Sequence, residues 1–416
     1  QHRTFLYFVN EINPDNGLVK DRSTADSPAS IAAVGFAIPV WAIGAEHGWI
    51  TRQRAADLTR AAIHFFWTGE QNDDSLSSGF QGFFYHFLDM KTGKRRWRCE
   101  LSTVDTAWLL AGLRFATQYF NRDEVVEKEI RILADSITYR ANWDFFTLPD
   151  TGRDANTISM AWRPERGFNA SGWTGYNEAL LLYILAAGCG YPHIEDAWQG
   201  WLSTYKWMEP YPGLAHAAFP PLFGHQYSHL FVDFRGISDE FMREKDIDYF
   251  ENSRRAVLTQ QQYAIDNPPN WTGYDSLTWG LTACDGPGPQ PQMADRKFYT
   301  YRARGTSGPN FVWDDDGTIA PTAAGGSVPF APEITIPTLL AFYNDYGDEG
   351  LWGPYGFYDA FNPTLDWFDS DYLGIDQGPI VLMIENYRNG FVWEYCMKDP
   401  LIQKGLDKLG FREVQE

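Results

Sequence analysis

Three carboxylates occupy positions where acid–base chemistry could be done, because each follows a long loop and stands at or just inside the start of an expected helix. They are Glu100 in CELSTVD, Glu178 in YNEALLLY and Asp376 in YLGIDQGPIV. An acid at such a position also interacts favourably with the helix dipole and with free backbone N–H groups, so a structural role stays open for each. Two carboxylates in one cleft can protonate a glycosidic oxygen and activate a water molecule, which is the chemistry of glycoside hydrolysis.

Glu178 carries the strongest signal for a general acid. Trp173 and Tyr176 precede it closely in the chain. An apolar wall of this kind penalises the charged form of a carboxyl group and raises its pKa towards the value that an acid catalyst needs. We therefore predict that Glu178 serves on the acid side of the reaction.

Asp376 stands between Gly374 and Gly378 in the chain. Glycine has no Cβ, so we expect the backbone here to come close to whatever occupies the cleft. Asp376 is the predicted base, and Glu100 is held in reserve as the acid should Glu178 only bind sugar hydroxyls.

The composition supports a sugar-binding cleft and argues against nucleic acid as a partner. The chain has 416 residues and a formal net charge of −20, whereas binding to a phosphate polymer requires a cationic surface. Phe, Tyr and Trp make up 16% of the residues, more flat apolar surface than packing requires. The longest apolar runs, such as Ile31 to Ile43, are too short and too interrupted to span a membrane.

Other site chemistries find no support in the sequence. His225 and His229 have the i,i+4 spacing of a metal pair, but no HExxH motif surrounds them. The run from Asp314 to Gly317 fails the EF-hand pattern and is expected to be a solvated loop. No GxSxG, P-loop or GxGxxG motif is present. We therefore expect neither a metal nor a cofactor. The four cysteines are expected to be buried free thiols, although two disulfides stay possible.

Helical periodicity and helix punctuation recur along the whole chain and must provide the frame for these residues. Ser102, followed by Asp105, forms an expected capping box. Strong helical segments are predicted at 28–48, 51–69, 102–120, 123–140, 174–188, 195–205, 248–266, 332–346, 377–390 and 399–409, and weaker ones at 3–13, 221–231 and 275–284.

Short connections between these helices alternate with long loops that are rich in Gly, Pro and aromatic residues. Antiparallel helix pairs arranged in a ring would gather the long loops, and with them the function, at one end. The fold class predicted is all-α, a toroid of helix pairs. Nothing resembling a linker divides the chain, so a single domain over 1–416 is expected.

The chain resembles the bacterial “putative glucoamylase” group, which includes the β-1,2-glucanases of glycoside hydrolase family 144. The resemblance rests on long strings in the same order: GFQGFFYHFLD, CELSTVDTAWLLAG, YNEALLLYILA, PLFGHQYSHLFVDFRG, YFENSRRAVLTQQQYA, WGLTACDGP, GTIAPTAAGGSVPFAPE, YGFYDAFN and YLGIDQGPIVLMIENYRNGFVW. It implies an (α/α)6 barrel, an inverting hydrolase acting on β-1,2-glucan, and export to the periplasm or beyond.

The resemblance leaves the mode of action open. Related sequences include endo-acting enzymes and exo-acting ones that release sophorose, and we favour endo action. A non-catalytic carbohydrate-binding protein is the rival from another class, and a monomer is expected. The predicted substrate contacts combine flat faces with hydrogen-bond donors: Phe83, Tyr85, His225, Tyr227, His229, Arg235, Trp279 and Tyr358.

Overall fold

The fold is built mainly from helices. The computed structural model describes residues 1–293 and 296–414. Within them lie fifteen α-helices: α1 His2–Asn10, α2 Ile31–Glu46, α3 Arg52–Thr68, α4 Thr103–Tyr119, α5 Val125–Arg140, α6 Leu180–Cys189, α7 Ile194–Leu202, α8 Phe223–Gln226, α9 Glu240–Glu244, α10 Tyr249–Asp266, α11 Pro321–Gly325, α12 Pro332–Ala341, α13 Gly374–Asn389, α14 Phe391–Cys396 and α15 Pro400–Lys408. Short 3₁₀ turns at Trp143–Phe146 and Tyr227–Leu230 and a π-type segment at Phe342–Leu351 accompany them.

The long loops carry short antiparallel ribbons, which the all-α prediction did not include. The strand pairs are Ile12–Asn13 with Leu18–Val19, Ala29–Ser30 with Phe87–Leu88, Gly79–Phe80 with Phe83–Phe84, Trp207–Met208 with His216–Ala217, Ile237–Ser238 with Arg412–Glu413, Ala283–Cys284 with Arg302–Ala303, Gly305–Thr306 with Val312–Trp313, Trp352–Gly353 with Gly356–Phe357, and Phe361–Asn362 with Trp367–Phe368. One three-stranded sheet joins Leu101–Ser102, Ala161–Arg163 and Gly167–Phe168. These ribbons fold the loops back onto the helix ends.

The helices fall into two groups that differ in their burial. Helices α2, α4, α6 and α13 are buried almost all round, and α2 packs on α4 and α13 while α4 packs on α6. Helices α3, α5, α7 and α15 bury one face each and pack outside the first group. This explains the two sequence patterns, because a helix buried on all sides is apolar all round and an outer helix is amphipathic.

Two glycines allow α2 and α4 to cross at close range. A Cβ on Gly112 would lie 2.2 Å from the carbonyl oxygen of Gly35, and a Cβ on Gly35 would lie 2.4 Å from the carbonyl oxygen of Trp108. No side chain fits at those distances. The contact therefore depends on glycine in both helices and fixes the position of α4, the helix whose first turn carries Asp105.

Most predicted helices are present, and one prediction is wrong. The segments 51–69 and 248–266 correspond closely to α3 and α10. The weak prediction at 275–284 fails, because the side chain of Asp275 accepts hydrogen bonds from the backbone N–H groups of Leu277 and Thr278, and Gly280 has a φ of 135°. These features make a turn, and Ala283–Cys284 is a strand. Helices α9, α11 and α14 were not predicted.

The predicted capping of α4 by Ser102 is confirmed, whereas the Asp105 carboxylate contacts the Ser102 hydroxyl. The hydroxyl of Ser102 accepts a hydrogen bond from the backbone N–H of Asp105, and it donates its own proton to the Asp105 carboxylate. Among the described residues no helix combines the length and the apolar character that crossing a membrane requires.

Candidate active site

Glu178 lies immediately before α6, two residues ahead of the first helical residue. Ser228 fixes this corner, because its hydroxyl donates to the carbonyl of Glu178 and accepts from the N–H of Leu181. The side chain of Glu178 is half-buried, and its Oε2 atom is buried without a hydrogen-bond partner among the described residues. Burial, followed by the charge of Asp105, raises the pKa of Glu178 to about 7. A carboxyl group of this kind can hold a proton near neutral pH and donate it.

An aromatic cavity opens in front of Glu178, with a volume of about 510 Å³. Trp173 and Tyr176 line it, as the sequence predicted, and the indole N–H of Trp173 is anchored on the hydroxyl of Thr103. The other side is formed by Phe219, Phe223, Phe311 and Trp313, with Arg153 and Lys206 at the edge. The cavity thus combines apolar ring faces with a protonatable carboxyl group and two cations.

Asp376 is the third residue of α13 and is almost completely buried. Its backbone carbonyl accepts a hydrogen bond from the hydroxyl of Thr322, while its Oδ2 atom has no hydrogen-bond partner among the described residues. Burial and then the charges of Asp285 and Asp21, against the hydrogen bond with Asp359, raise the pKa of Asp376 to about 8.

The flanking glycines serve packing, which corrects the expectation that they approach a ligand. A Cβ on Gly378 would lie 2.7 Å from Phe36 Cδ2, and one on Gly374 would lie 2.8 Å from Ala33 Cβ. Both neighbours belong to α2. The two glycines therefore let α13 lie close against α2 and so set the depth of Asp376.

Further carboxylates lie around Asp376, and no motif in the sequence marked them as site residues. Asp359 is 2% exposed, and burial together with the charges of Asp376 and Asp285 raises its pKa well above the usual range. Asp285, Asp359 and Asp369 offer oxygen atoms that all lie within 4.8 Å of one another. Arg22 faces this cluster, with Nη1 2.8 Å from Asp285 Oδ2. Asp359 lies in the string YGFYDAFN, so the family resemblance was the one signal that pointed to it.

A second polar group surrounds Glu100. His86 Nδ1 lies 2.9 Å from Glu100 Oε1, and Arg163 Nη2 lies 2.6 Å from Glu100 Oε2. Burial opposes ionisation of Glu100, but the hydrogen bond and charge of His86 and the charge of Arg163 outweigh it and lower the pKa to about 2. Glu100 is therefore an ionised carboxylate held by two cations. A carboxylate in this state favours Glu178 over Glu100 as the general acid, because a group with a pKa of about 2 carries little proton to donate near neutral pH.

His86 connects this group to the first turn of α4. Its Nε2 atom lies 3.5 Å from Asp105 Oδ1. Burial opposes the charged imidazolium, but Asp105, Glu100 and Asp21 together raise the pKa of His86 to about 9. His86 and Arg163 were both missed from the sequence, because nothing in the chain shows that residues 14 and 63 positions from Glu100 contact its side chain.

Tyr227 lies near both predicted catalytic carboxylates. Its hydroxyl donates a hydrogen bond to the carbonyl of Ile375, the residue before Asp376. Burial, followed by negative charges that include Asp376 and Glu178, raises the pKa of Tyr227 well above its ordinary value. The charges of both carboxylates act on one side chain, so Glu178, Asp376 and Tyr227 lie in the same region of the molecule.

His225 and Tyr358 also lie near this region. The His225 ring is 4.9 Å from the ring of Tyr176, its Nε2 atom lies 3.0 Å from the Phe219 carbonyl, and burial lowers its pKa well below the ordinary value. His225 is therefore a neutral, fully buried support for the cavity wall. Tyr358 is half-buried and packs on Tyr372 at 4.5 Å.

Four predicted substrate contacts are core residues instead. Phe83 packs between Trp143 and Phe146, and Tyr85 is covered by the guanidinium of Arg95. Their relative exposures, with those of the other two, show that a sugar cannot reach them in this structure: Phe83 0%, Tyr85 0%, His229 1% and Trp279 1%. The prediction failed because residue type alone does not say whether an aromatic ring points into a cleft or into the core.

The prediction that Arg235 contacts the substrate is wrong, because Arg235 lies far from the cleft. Its guanidinium stacks 4.5 Å from the ring of Trp393 and pairs with Asp233 at 2.6 Å. Trp393 follows the C-terminal end of α13, whereas Asp376 lies in the first turn of that helix. A helix of 16 residues is about 24 Å long. Arg235 therefore belongs to the opposite end of the molecule.

The loop from Asp314 to Gly317 and the cysteines have structural roles. Asp315 accepts hydrogen bonds from the hydroxyls of Tyr263 and Tyr274, and Asp316 forms a fully buried pair with Arg304. The prediction of a solvated loop is therefore correct for the exposed Asp314. It is wrong for Asp315 and Asp316, which are half-buried and buried. All four cysteines are free, three of them buried and Cys189 half-buried, which confirms the prediction of free thiols.

A family model described as “Putative glucoamylase” matches residues 170–400. Among solved structures, the chain is similar to one described as a “putative glucoamylase” from Bacteroides uniformis, with 34% identity, 99% of this chain and 95% of that chain covered, and a TM-score of 0.84. It is also similar to an endo-β-1,2-glucanase from Chitinophaga pinensis in complex with sophorotriose and glucose, with 29% identity, 99% and 96% coverage, and a TM-score of 0.84.

A curated relative from Parabacteroides distasonis, an exo β-1,2-glucooligosaccharide sophorohydrolase (non-reducing end), is 29% identical over 98% of this chain. The chain spans 57% of the length of that relative.

Proposed function

The chain belongs to the “Putative glucoamylase” family, and from that membership and the geometry of its cleft we propose that it is a glycoside hydrolase that cleaves β-1,2-glucan with inversion. The observation that carries the proposal is the protonatable Glu178 at the wall of an aromatic cavity, with Asp376 close enough that both carboxylates act on the side chain of Tyr227. The relatives that act on β-1,2-linked glucans favour this linkage over the α-1,4 linkage that the family description suggests.

Glu178 is the proposed acid. Its Oε2 atom has no partner among the described residues, and its pKa near 7 keeps a substantial protonated fraction at neutral pH. A sugar ring stacked in the cavity would bring a glycosidic oxygen within reach of that atom. Proton donation to the leaving oxygen is what makes cleavage of a glycosidic bond possible near neutral pH.

Asp376 is the proposed base. The mutual repulsion of Asp359 and Asp376 favours a single proton shared by the pair, which leaves one negative charge to attract a proton from water. The unpartnered Oδ2 atom of Asp376 is the acceptor. In a β-1,2-linked chain the neighbouring hydroxyls crowd the scissile bond, so either proton transfer can run through a substrate hydroxyl or a water molecule.

The remaining polar and aromatic side chains of the cleft are proposed to bind sugar hydroxyls and ring faces. Glu100 is ionised and can accept hydrogen bonds, and Arg163 and His86 can donate them. The half-buried Tyr358 is proposed to supply a ring face, whereas the buried Tyr227 is proposed to hold the backbone before Asp376 through its hydrogen bond to the Ile375 carbonyl. Polyhydroxylated rings need this combination of apolar faces and directed polar groups.

We favour endo action, with exo release of sophorose as the alternative. The endo-acting relative and the exo-acting one share nearly the same identity with this chain, so residue identity alone does not separate the two modes. In a time course on linear β-1,2-glucan, endo action gives a rapid fall in viscosity and a ladder of oligosaccharides. Exo action gives sophorose from the first minutes with little change in viscosity.

Architecture and location are proposed on the same basis. The division into apolar and amphipathic helices supports an (α/α)6 barrel over one domain at 1–416. A polysaccharide substrate supports action in the periplasm or outside the cell, and we propose a monomer. Fractionation of cells and light scattering of the purified protein test the last two points.

The decisive experiment measures reducing ends released from β-1,2-glucan by the purified chain. Laminarin, a β-1,3-glucan, and soluble starch serve as matched controls for linkage. Release from β-1,2-glucan alone supports the proposal. Binding of β-1,2-glucan without release of products would instead support a carbohydrate-binding protein, and release from starch alone would support the activity that the family description names.

A further inference from the structure

We propose that Tyr227 and Ser228, two adjacent residues of the 3₁₀ turn at Tyr227–Leu230, hold the acid and the base of the reaction at a fixed separation. The inference rests on the proposed function, because it assigns a positioning role to residues behind the acid Glu178 and the base Asp376. It starts from one local defect in each of the two helices at whose starts these carboxylates lie.

Helix α6 begins without a side-chain cap of its own. The first N–H groups of a helix have no partner inside the helix, and a Ser, Thr, Asp or Asn side chain at the N-cap usually accepts from one of them. The N-cap of α6 is Ala179, which cannot do so. The hydroxyl of Ser228 takes this role, accepting from the N–H of Leu181 at 3.0 Å and donating to the carbonyl of Glu178 at 3.1 Å. A hydroxyl from another segment therefore closes the corner at which Glu178 stands.

Helix α13 lacks one backbone donor near its start. In an α-helix the carbonyl of each residue accepts from the N–H group four residues later. The residue four positions after Ile375 is Pro379, which has no N–H group. The hydroxyl of Tyr227 donates to the Ile375 carbonyl at 3.0 Å. Tyr227 therefore satisfies an acceptor, next to Asp376 in the chain, that the helix leaves without its normal donor.

The turn that supplies both hydroxyls is buried and tightly packed. Tyr227 is 3% exposed and Ser228 is 2% exposed. The ring of Tyr227 lies edge-on to Trp108 of α4 at 5.0 Å and to Phe36 of α2 at 5.6 Å. It also lies 5.5 Å from the ring of Phe223, which lines the aromatic cavity. Because interiors packed at this density transmit displacements, the turn cannot move without moving its neighbours.

The two hydrogen bonds tie the starts of α6 and α13 to points one residue apart. Consecutive Cα atoms are about 3.8 Å apart, so the turn is a short spacer between the two helix starts. Inverting hydrolysis needs a defined gap for a water molecule, and a misplacement of about 1 Å can cost about 100-fold in rate. Tyr227 and Ser228 act on backbone groups, so they are positioning residues.

The first experiment separates the acid side from the base side by the leaving group. A sugar leaving group needs a proton from the acid, whereas 4-nitrophenolate departs without one, and both reactions need the base. Ser228→Ala should lower kcat on β-1,2-gluco-oligosaccharides about 10- to 100-fold with little change in KM, and much less on the 4-nitrophenyl β-glycoside of sophorotriose. Tyr227→Phe loosens the base side and should lower kcat on both substrates to a similar extent.

Ser238→Ala is the matched control. The hydroxyl of Ser238 is also buried and donates to a backbone carbonyl, that of Ile247, at 3.0 Å. Ser238 belongs to the strand Ile237–Ser238, which follows Arg235 at the end of the molecule away from the cleft. The control should keep the wild-type kcat on both substrates. An equal loss of kcat in Ser238→Ala and Ser228→Ala would reduce the effect of Ser228 to a general loss of packing.

A second measurement needs no hydrolysis and follows Glu178 directly. Burial holds the pKa of Glu178 at about 7 in the intact structure. Loss of the Ser228 hydroxyl frees the corner and admits water to the carboxyl group, so the pKa should fall towards its ordinary value. NMR titration of ¹³C-labelled glutamate side chains measures this pKa, and Glu178→Gln identifies the resonance. Ser238→Ala should leave the pKa unchanged.

Near-UV circular dichroism establishes that each variant is folded. A folded Ser228→Ala variant with the wild-type kcat and an unchanged pKa of Glu178 would overturn the proposal for the acid side, and wild-type kcat in Tyr227→Phe would overturn it for the base side. If the wild-type chain releases nothing from β-1,2-glucan, the proposed function fails, and the pKa of Glu178 in Ser228→Ala still decides whether the turn positions that side chain.

Discussion

The imidazole Nδ1 of His86 lies 2.9 Å from Oε1 of Glu100, and this contact joins a loop ribbon to the residues that precede α4. The pair is partly shielded from solvent, with about a quarter of each side chain exposed. Against the effect of burial, Asp105, Glu100 and Asp21 raise the pKa of His86 to about 9, while His86 and Arg163 lower the pKa of Glu100 to about 2.

The first prediction concerns the pH dependence of this pair. A raised histidine pKa adds stability that is complete below the ordinary value of 6.5 and is lost as the pH rises through about 9. A lowered glutamate pKa adds stability that is complete above 4.5 and is lost as the pH falls through about 2. The pair should therefore stabilise the fold most between pH 4.5 and 6.5.

His86→Gln should accordingly lower the free energy of unfolding by about 1–2 kcal/mol in that window, a value discounted for partial exposure. Urea unfolding at pH 5.5 and at pH 9.5 measures it, and the loss should shrink at the higher pH. His64→Gln, at an exposed position of α3, is the control. An equal loss at both pH values would contradict an ionic role for His86.

The second prediction concerns the crossing of α2 and α4. Gly112→Ala places a Cβ 2.2 Å from the carbonyl oxygen of Gly35, and backbone cannot move away as a flexible side chain can. We expect a loss of about 1–3 kcal/mol or more in the free energy of unfolding. Gln53→Ala, on the exposed face of α3, should change it by less than about 0.5 kcal/mol. A Gly112→Ala variant as stable as the wild type would show that the helices can separate.

Much of the helical frame was predictable, because the helices follow local rules. Ser102 capped α4 as expected, and Glu178 and Asp376 were found at helix starts because the loops before them were long and their neighbours distinctive. What the sequence could not show was convergence in space. Asp285, Asp359 and Asp369 come from separate loops, and their spacing in the chain says nothing of a common centre.

The substrate contacts were harder still to predict, because side-chain chemistry does not specify direction. Phe83 and Tyr85 carry the flat faces expected of a sugar platform, yet both point into the core. Trp313, which lines the cavity in front of Glu178, lies outside the strings that carried the family resemblance and was missed. Arg235 was misplaced because the chain leaves the cleft after Leu230 and runs to the far end.

The third prediction follows from the position of Trp313. The ring is 37% exposed and packs edge-on against Phe219 at 5.2 Å, so it offers a face to the cavity. Trp313→Ala should raise the KM for β-1,2-gluco-oligosaccharides about 3- to 10-fold, with a smaller change in kcat, because a stacking surface is lost. Tyr387→Ala removes an exposed aromatic ring near the far end of α13 and should leave both constants unchanged. An unchanged KM for Trp313→Ala would remove this residue from the substrate site.

The fourth prediction is the alkaline limb of the activity profile. Burial raises the pKa of Glu178 to about 7, and only the protonated form can donate to the leaving oxygen. The value of kcat/KM should therefore fall as the pH rises above about 7, approaching a tenfold loss per pH unit. Initial rates on β-1,2-glucan between pH 5 and 9 test this, with circular dichroism at each pH to show that the fold persists. A rate that stays constant from pH 6 to pH 9 would contradict Glu178 as the acid.

The fifth prediction concerns the two proposed catalytic carboxylates and the stereochemistry that they produce. Glu178→Gln and Asp376→Asn keep the shape of each side chain but remove proton transfer, so each should lower kcat by about 10²–10⁴-fold. Glu70→Gln, at an exposed position, is the control and should retain full activity.

Inversion requires room for a water molecule, so the two carboxyl groups in a substrate complex should lie about 6.5–9.5 Å apart, or farther if a substrate hydroxyl relays the proton. NMR of the first products should show the α-anomer at the new reducing end. Near-wild-type kcat in either amide variant would exclude that residue from the mechanism, and an initial β-anomer would exclude inversion.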